Sequence, residues 1–139
     1  MKALLVSLAF AFALCGCKKA RTACVYEIPE GFTGWILIEF GRTNCPPLMK
    51  RDGKLVFEIG RDGRLCTSSP LQYGWAKVEY FYVGKARIAI PSTVSGGGGL
   101  IWGSSSGSTQ TGNVERKFES FFVGPEDQFT QADKQPTPK

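Results

Sequence analysis

The sequence contains no histidine, and it has only two methionines among its 139 residues. Histidine is the commonest general base near neutral pH and a frequent metal ligand. Its absence excludes hydrolases that activate a serine through histidine, and a zinc site would need four thiolates or help from carboxylates. We therefore expect no catalytic residues, no metal site and no cofactor, and we expect that the protein is not an enzyme.

The rest of the composition is that of one globular domain rich in turns. Hydrophobic residues make up 42% of the chain and aromatic residues 12%, which is enough for a packed core. Seventeen glycines and eight prolines favour short strands separated by many turns. The formal charge of +5 is spread along the chain without a basic cluster of five residues, so we expect no nucleic-acid partner.

The N-terminus has the features of a bacterial lipoprotein signal peptide. Lys2 is followed by an uncharged apolar run over residues 3–14, which is too short to span a bilayer but suits the core of a signal peptide. The run ends in LCGC, which resembles a lipobox, and Cys17 is the cysteine preceded by a small residue. The sequence predicts a lipid on Cys17 and the loss of Cys15 with the signal peptide.

An ordinary signal peptide cut near Ala20 or Ala23 is the alternative. The lipobox predicts the following division of the chain: a lipoprotein signal peptide over residues 1–16, a tether over 17–23, a single β domain over 24–132 and a disordered tail over 133–139.

Basic residues stand beside the predicted anchor. Lys18, Lys19 and Arg21 would be attracted to anionic lipid headgroups. Export and a lipid on Cys17 predict a protein of the cell envelope with the membrane as one partner. The residue directly after Cys17 is Lys18, whereas an aspartate at that position retains many such proteins at the inner membrane. The sequence therefore favours the outer membrane in a host that has one, and the outer face of the plasma membrane otherwise.

The chain after the tether has a β pattern nearly throughout. Alternating or β-branched segments with turn signals between them predict an all-β sandwich of about seven short strands. The clearest predicted strands are residues 24–28, 33–40, 54–59, 77–83, 86–90 and 117–123. A short helical turn is predicted over residues 125–132, where proline and two acidic residues stand at the first turn. The predicted core consists of Trp35 or Ile36, Leu55, Phe57, Ile59, Val78, Tyr80, Ile88, Ile90, Phe118 and Phe122.

Two glycine-containing patterns have a structural interpretation. RDGKL at residues 51–55 and RDGRL at 61–65 each contain an Asp-Gly turn dipeptide, so we interpret Asp52 and Asp62 as turn residues rather than as calcium ligands. The Gly/Ser run after residue 95 contains a G-x-S-x-G match over residues 103–107, but the nucleophile elbow needs a histidine. The sequence predicts a short strand at GLIWG between flexible loops.

Three cysteines remain after processing, namely Cys24, Cys45 and Cys66. Because export leads to an oxidising compartment, a disulfide is favoured over free thiols. Cys45 precedes the strand KLVFEI and Cys66 follows it, so a hairpin-like return predicts the pair Cys45–Cys66 and leaves Cys24 as the odd thiol. The rival pairs are Cys24–Cys66 and Cys24–Cys45. Closing a loop of about 22 residues is worth roughly 3 kcal/mol in the chain-entropy description.

Several segments, taken in order, resemble a family of small uncharacterised bacterial exported or lipoprotein-type domains. These segments are IPEGFTGWILIEFG, NCPPL, RDGKLVFEI, GRLCTSS, GGLIWG and SFFVGPEDQF. The resemblance extends from about Tyr26 to Phe129. It implies an exported, mostly β domain, and it implies no activity or catalytic residue.

Two classes of function stay open. A lipid-anchored, non-enzymatic module would bind an envelope protein or a glycan through exposed aromatic side chains, for which Trp75, Trp102 and Tyr73 are the candidates, with Trp35 favoured as a core residue. The second class is an envelope hydrolase with paired carboxylates. An inhibitor or immunity-type partner protein is a further alternative, which the sequence does not separate from the binding module.

Overall fold

The structure is a computed structural model that describes residues 20–92 and 99–139. Within these residues, nine strands form two sheets and one short helix follows the last strand. The elements are β1 (Cys24–Pro29), β2 (Gly34–Phe40), β3 (Met49–Arg51), β4 (Lys54–Glu58), β5 (Arg64–Cys66), β6 (Val78–Val83), β7 (Arg87–Ala89), β8 (Ile101–Thr111), β9 (Val114–Val123) and α1 (Glu126–Gln131). The predicted all-β fold with a C-terminal helical turn is confirmed, with nine strands instead of about seven. The predicted signal peptide and Cys17 lie outside the described residues. Within the described residues, no helix is long and apolar enough to cross a membrane.

Both sheets are mixed. The first has the strand order β3-β4-β1-β6-β7, and its central strand β1 runs parallel to both β4 and β6. The second has the order β5-β2-β9-β8, in which β2 is parallel to β5 and antiparallel to β9. The chain passes from the first sheet to the second between β1 and β2, between β4 and β5, and again between β7 and β8. Residues from both sheets share one core.

The core lies between the two sheets. Alternate residues of β1, β2, β4 and β9 point inward, as the period of two in a strand requires. The buried members of this core are Cys24, Tyr26, Ile28, Ile36, Ile38, Phe40, Phe57, Ile59, Ile90, Phe121 and Val123. Leu55, Val78 and Tyr80 are half-buried and pack against it. Most of the predicted core is therefore correct, with Ile36 rather than Trp35 on the inner face of β2.

A second apolar layer covers the outer face of the second sheet. The ring of Phe129, from α1, stacks on Trp102 with centroids 5.8 Å apart and contacts Trp35 at 5.9 Å and Phe122 at 5.7 Å. Phe122 and Phe118 are both buried as predicted, but they lie on this outer face. Strand β9 is thus buried on both faces, which alternation alone does not reveal.

Residues 133–139, predicted as a disordered tail, lie along the same outer face. The carbonyl oxygen of Asp133 accepts a hydrogen bond from Trp35 Nε1 at 2.8 Å. Gln135 Nε2 donates to the hydroxyl of Ser120 at 2.7 Å and to that of Ser105 at 2.6 Å. Pro138 is buried. The last residues therefore extend the cover that α1 begins.

Two sequence predictions are wrong. The short strand at GLIWG continues through the Gly/Ser run as β8, because β9 supplies a full antiparallel partner that outweighs the low strand propensity of glycine and serine. A bulge between Trp102 and Ser105 interrupts this pairing, and Gly103 adopts a positive φ of 59° there. Ile88, predicted in the core, is 51% exposed because β7 is an edge strand.

The two Asp-Gly turns have different roles. Asp52 and Gly53, with φ of 51° and 74°, form the tight turn of the β3–β4 hairpin. Gly63, with φ of 75°, lies instead in the crossing from the first sheet to the second. A Cβ atom there would come within 2.6 Å of the backbone oxygen of Trp35, so this turn packs closely against β2.

The Cys45–Cys66 disulfide is present, with Cα atoms 5.7 Å apart, and Cys24 is buried with a free thiol. The bond ties the loop after β2 to the edge strand β5. Thr67 reinforces the same junction, since its hydroxyl donates to the carbonyl oxygen of Pro46 at 2.9 Å.

Candidate functional site

The first described residues are joined to the loop that precedes β6. Ala20 forms an isolated parallel bridge with Trp75, and the backbone N–H of Arg21 donates to the carbonyl oxygen of Trp75 at 3.0 Å. Arg21 Nε donates to the carbonyl oxygen of Gly74 at 3.1 Å. The segment predicted as a tether is therefore attached to the domain from residue 20 onward.

A pocket of about 250 Å³ opens beside this junction. It is bounded by the loop with Tyr73 and Gly74, by the start of β6, and by residues 104–106 of β8. Glu119, Tyr26 and Tyr80 lie in its wall, and Arg21 stands at one side. The volume is just below the usual range for ligand pockets, so it suits a ligand about the size of one ring.

The chemistry of the pocket centres on Glu119. This residue points inward from β9 on the same face as Phe121, so its carboxylate lies at the edge of the core. The hydroxyl of Tyr26 donates to Glu119 Oε1 at 2.6 Å, a length typical of a charge-assisted bond. Burial raises the pKa of Glu119, although the Tyr26 hydrogen bond and the charge of Arg21 oppose the rise.

The tyrosines around Glu119 are held by stacking. Tyr26 is fully buried, and its ring stacks between Phe57, at a centroid distance of 4.6 Å, and Tyr80, at 5.0 Å. Burial, with the charge of Glu119 second, raises the pKa of both phenols, so both stay protonated at neutral pH. Tyr26 can therefore act only as a fixed hydrogen-bond donor towards the carboxylate.

Arg21 links the pocket to the odd cysteine. Its Nη1 donates to the sulfur of Cys24 at 2.9 Å, and the Cys24 thiol lies 3.3 Å from the carbonyl oxygen of Thr22. Burial raises the pKa of Cys24 more than the Arg21 charge lowers it. Cys24 is therefore a protonated, buried thiol, and it orients the guanidinium group instead of acting as a nucleophile.

The structure places the predicted binding residues in two different regions. Tyr73 lines the pocket and is 58% exposed, and Trp75, two residues later, is 74% exposed. Trp102 lies on the outer face of the second sheet, where its Nε1 donates to the carbonyl oxygen of Gly124 at 2.8 Å. Trp102 and Trp35 thus pack on the outer face of the second sheet, away from the pocket. Tyr73 and Trp75 lie near each other on the loop beside the pocket.

Sequence reasoning missed Glu119 and Tyr26. The signal was present in KFESFFV, where alternation puts Glu119 on the same face as Phe121 and Val123. A carboxylate on a core-facing position is uncommon unless it has a partner. The partner comes from a strand 93 residues away, so no local pattern reveals it.

A larger groove of about 1,120 Å³ lies at the opposite end of β1, around the β1–β2 turn. It is open, and its carboxylates already have partners. Glu27 forms ion pairs with Arg51, at 2.8 Å, and with Arg87. Burial alone would raise the pKa of Glu27, but the hydrogen bonds from both arginines outweigh it and lower the pKa. We prefer the smaller pocket as the candidate site because its carboxylate is desolvated and is not neutralised in this way.

Neither cavity has the arrangement of a metal centre or of a known catalytic triad. Among the described residues, no three histidine, cysteine or carboxylate side chains are grouped for metal binding. The described lining of the smaller pocket contains one carboxylate, that of Glu119. A glycosidase-type mechanism needs two carboxyl groups about 5 to 10 Å apart, so this pocket offers it no support.

The fold and the site define a two-sheet β domain with a small polar pocket between its sheets. Residues 20–133 match the model of a family of unknown function, DUF6843, and the chain belongs to this family. The domain is also similar to a crystal structure described as that of a "Putative Lipoprotein from Bacillus anthracis". The two chains share 25% identity with a TM-score of 0.66, over 87% of this chain and 83% of the other. No curated protein matches the sequence. The family resemblance predicted from the sequence is confirmed.

Proposed function

We propose that this protein is a lipid-anchored, non-enzymatic binding module of the cell envelope, and that the pocket around Glu119 holds its ligand. The observation that carries the proposal is the half-buried carboxylate of Glu119, which lies in the wall of an accessible pocket and accepts a hydrogen bond from the neutral Tyr26 hydroxyl at 2.6 Å. Such a group destabilises the fold compared with an apolar residue, and groups of this kind cluster at functional sites. The similarity to a protein described as a lipoprotein supports the anchor.

The pocket favours a small polar ring as the ligand. Glu119 accepts hydrogen bonds, Arg21 donates them, and the exposed ring of Tyr73 offers an apolar face at the mouth. A sugar ring has hydroxyl groups along its edge and C–H bonds on its faces, so it fits this combination. Of the two partners predicted from the sequence, an envelope protein or a glycan, the pocket therefore favours the glycan.

Saturation-transfer NMR with N-acetylglucosamine and with disaccharides that contain it tests this proposal. We expect transfer from the protein to the sugar, and we expect it to be lost in Glu119→Gln and in Tyr73→Ala. Glu30→Gln, in the larger groove, is the matched control and should leave the signal unchanged. Absence of transfer in the wild type, or equal transfer in all three variants, would contradict glycan binding at this pocket.

A further inference from the structure

Two large aromatic side chains are exposed at the junction where the described chain begins. Trp75 is 74% exposed and Tyr73 is 58% exposed, although both are residues that proteins usually bury at least in part. Basic groups accompany them: Arg21 is bonded to Gly74, and the Lys77 side chain is 69% exposed. We call the surface formed by Arg21, Tyr73, Trp75 and Lys77 the anchor-side surface.

The distance along the chain from Cys17 to this surface is short. Ala20, three residues after Cys17, forms the bridge with Trp75. A fully extended chain spans at most about 3.6 Å per residue, so the Cα atoms of Cys17 and Ala20 cannot be more than about 11 Å apart. A lipid on Cys17 would therefore hold the Trp75 backbone close to the headgroup layer in every orientation of the domain.

The chemistry of the surface matches that layer. Tryptophan and tyrosine prefer the boundary between headgroups and acyl chains, where the ring is in an apolar medium and the polar atom stays hydrated. Lysine and arginine add attraction to anionic lipids. The one carboxylate beside Lys77, that of Glu79, is shared with Lys54, so it does not cancel the positive charge.

We propose that the anchor-side surface docks on the membrane that carries the lipid anchor, with the Trp75 ring inserted at the headgroup boundary. This inference rests on the proposed lipid anchor. It adds an orientation to that anchor: the long axis of β6 points away from the membrane, and the mouth of the pocket, at Tyr73 and Gly74, faces the headgroups.

Tryptophan quenching by brominated lipids tests the docking. The full-length chain is expressed, and the processed protein is purified and reconstituted in vesicles of phosphatidylethanolamine and phosphatidylglycerol. The lipids carry bromine on the acyl chains near the headgroups. We expect part of the wild-type tryptophan emission to be quenched and this part to be lost in Trp75→Phe. The matched control is the double variant Trp75→Phe/Val83→Trp, which moves the indole to the opposite end of β6 and should show no quenching.

Flotation and the intact mass of the same samples separate the two proposals. Quenching that depends on Trp75 supports docking. A protein that carries lipid and floats with the vesicles, but whose quenching is absent or equal in Trp75→Phe and in the control, overturns docking and leaves the anchor standing. A protein that does not float overturns docking too, and its mass then shows independently whether the lipid was attached.

Discussion

The pair formed by Tyr26 and Glu119 allows the candidate site to be tested through stability. The Tyr26 hydroxyl donates to the carboxylate at 2.6 Å, and Tyr26→Phe removes this donor while it preserves the stacking with Phe57 and Tyr80. A hydrogen bond to a charged group contributes about 1.5–3 kcal/mol, whereas one between neutral groups contributes about 0.5–1.5 kcal/mol. At neutral pH we expect Tyr26→Phe to lower the free energy of unfolding by about 1.5–3 kcal/mol, and by roughly 1 kcal/mol less in the Glu119→Gln background.

The pH dependence of the same variants has a definite sign. Burial raises the pKa of Glu119 in the folded protein above that of the unfolded chain. The folded state then binds more protons between the two pKa values, so this carboxyl group stabilises the fold fully below the unfolded pKa of about 4.3, and its contribution is lost as the pH rises through the folded pKa. Glu119→Gln lacks this effect. The wild type should therefore lose stability relative to Glu119→Gln as the pH rises from about 4 through the folded pKa of Glu119.

Urea unfolding of the wild type, Tyr26→Phe, Glu119→Gln and the double variant at several pH values measures both the coupling energy and the pH dependence of the stability. Tyr26 titrates above this pH range, and the remaining titrating groups are common to all four proteins, so the differences isolate Glu119. A stability difference between the wild type and Glu119→Gln that stays constant over this pH range, or that grows in favour of the wild type, would refute a desolvated Glu119. So would a coupling energy near zero between Tyr26 and Glu119 at neutral pH.

Two further predictions concern the frame that holds the site. Replacing both Cys45 and Cys66 by alanine should lower the free energy of unfolding by about 3 kcal/mol, because the disulfide closes a loop over a sequence separation of 21. Urea unfolding measures this loss. A reducing agent should lower the stability of the wild type but not that of the variant. The glycines of the two Asp-Gly turns form a matched pair with nearly equal φ. Gly53→Ala should cost about 1–2 kcal/mol, as expected for a positive φ in open space, and Gly63→Ala should cost clearly more because its Cβ would meet the Trp35 backbone oxygen. Equal losses would contradict the close packing of the second turn.

Local patterns in the sequence are sufficient to predict much of the inter-sheet core. The segment KLVFEI alternates, and Phe57 and Ile59 are buried as that alternation requires. The pair Cys45–Cys66 was also predicted correctly, although the cysteines meet because β5 pairs with β2 and not through a hairpin around one strand. The alternation depends on residues that are near one another in the chain.

The features that sequence reasoning missed depend on distant segments. Strand β8 exists because β9 pairs with it, and its glycines and serines give no local sign of a strand. The burial of Phe122 depends on Phe129 and on the segment after α1, which cover the outer face of the sheet. The environment of Glu119 depends on Tyr26 and Arg21, which lie beside it in space and far from it in the chain.

Acyl labelling at the two cysteines of the LCGC motif is the most direct test of the lipid anchor, on which the envelope function and the docking both depend. Cells that express the full-length chain are grown with an alkyne fatty acid and fractionated, and the protein is examined for label. We predict that the wild type and Cys15→Ser carry the label and sediment with membranes, while Cys17→Ser carries none. Label and membrane association retained in Cys17→Ser, or absent from the wild type, would contradict a lipid anchor on Cys17.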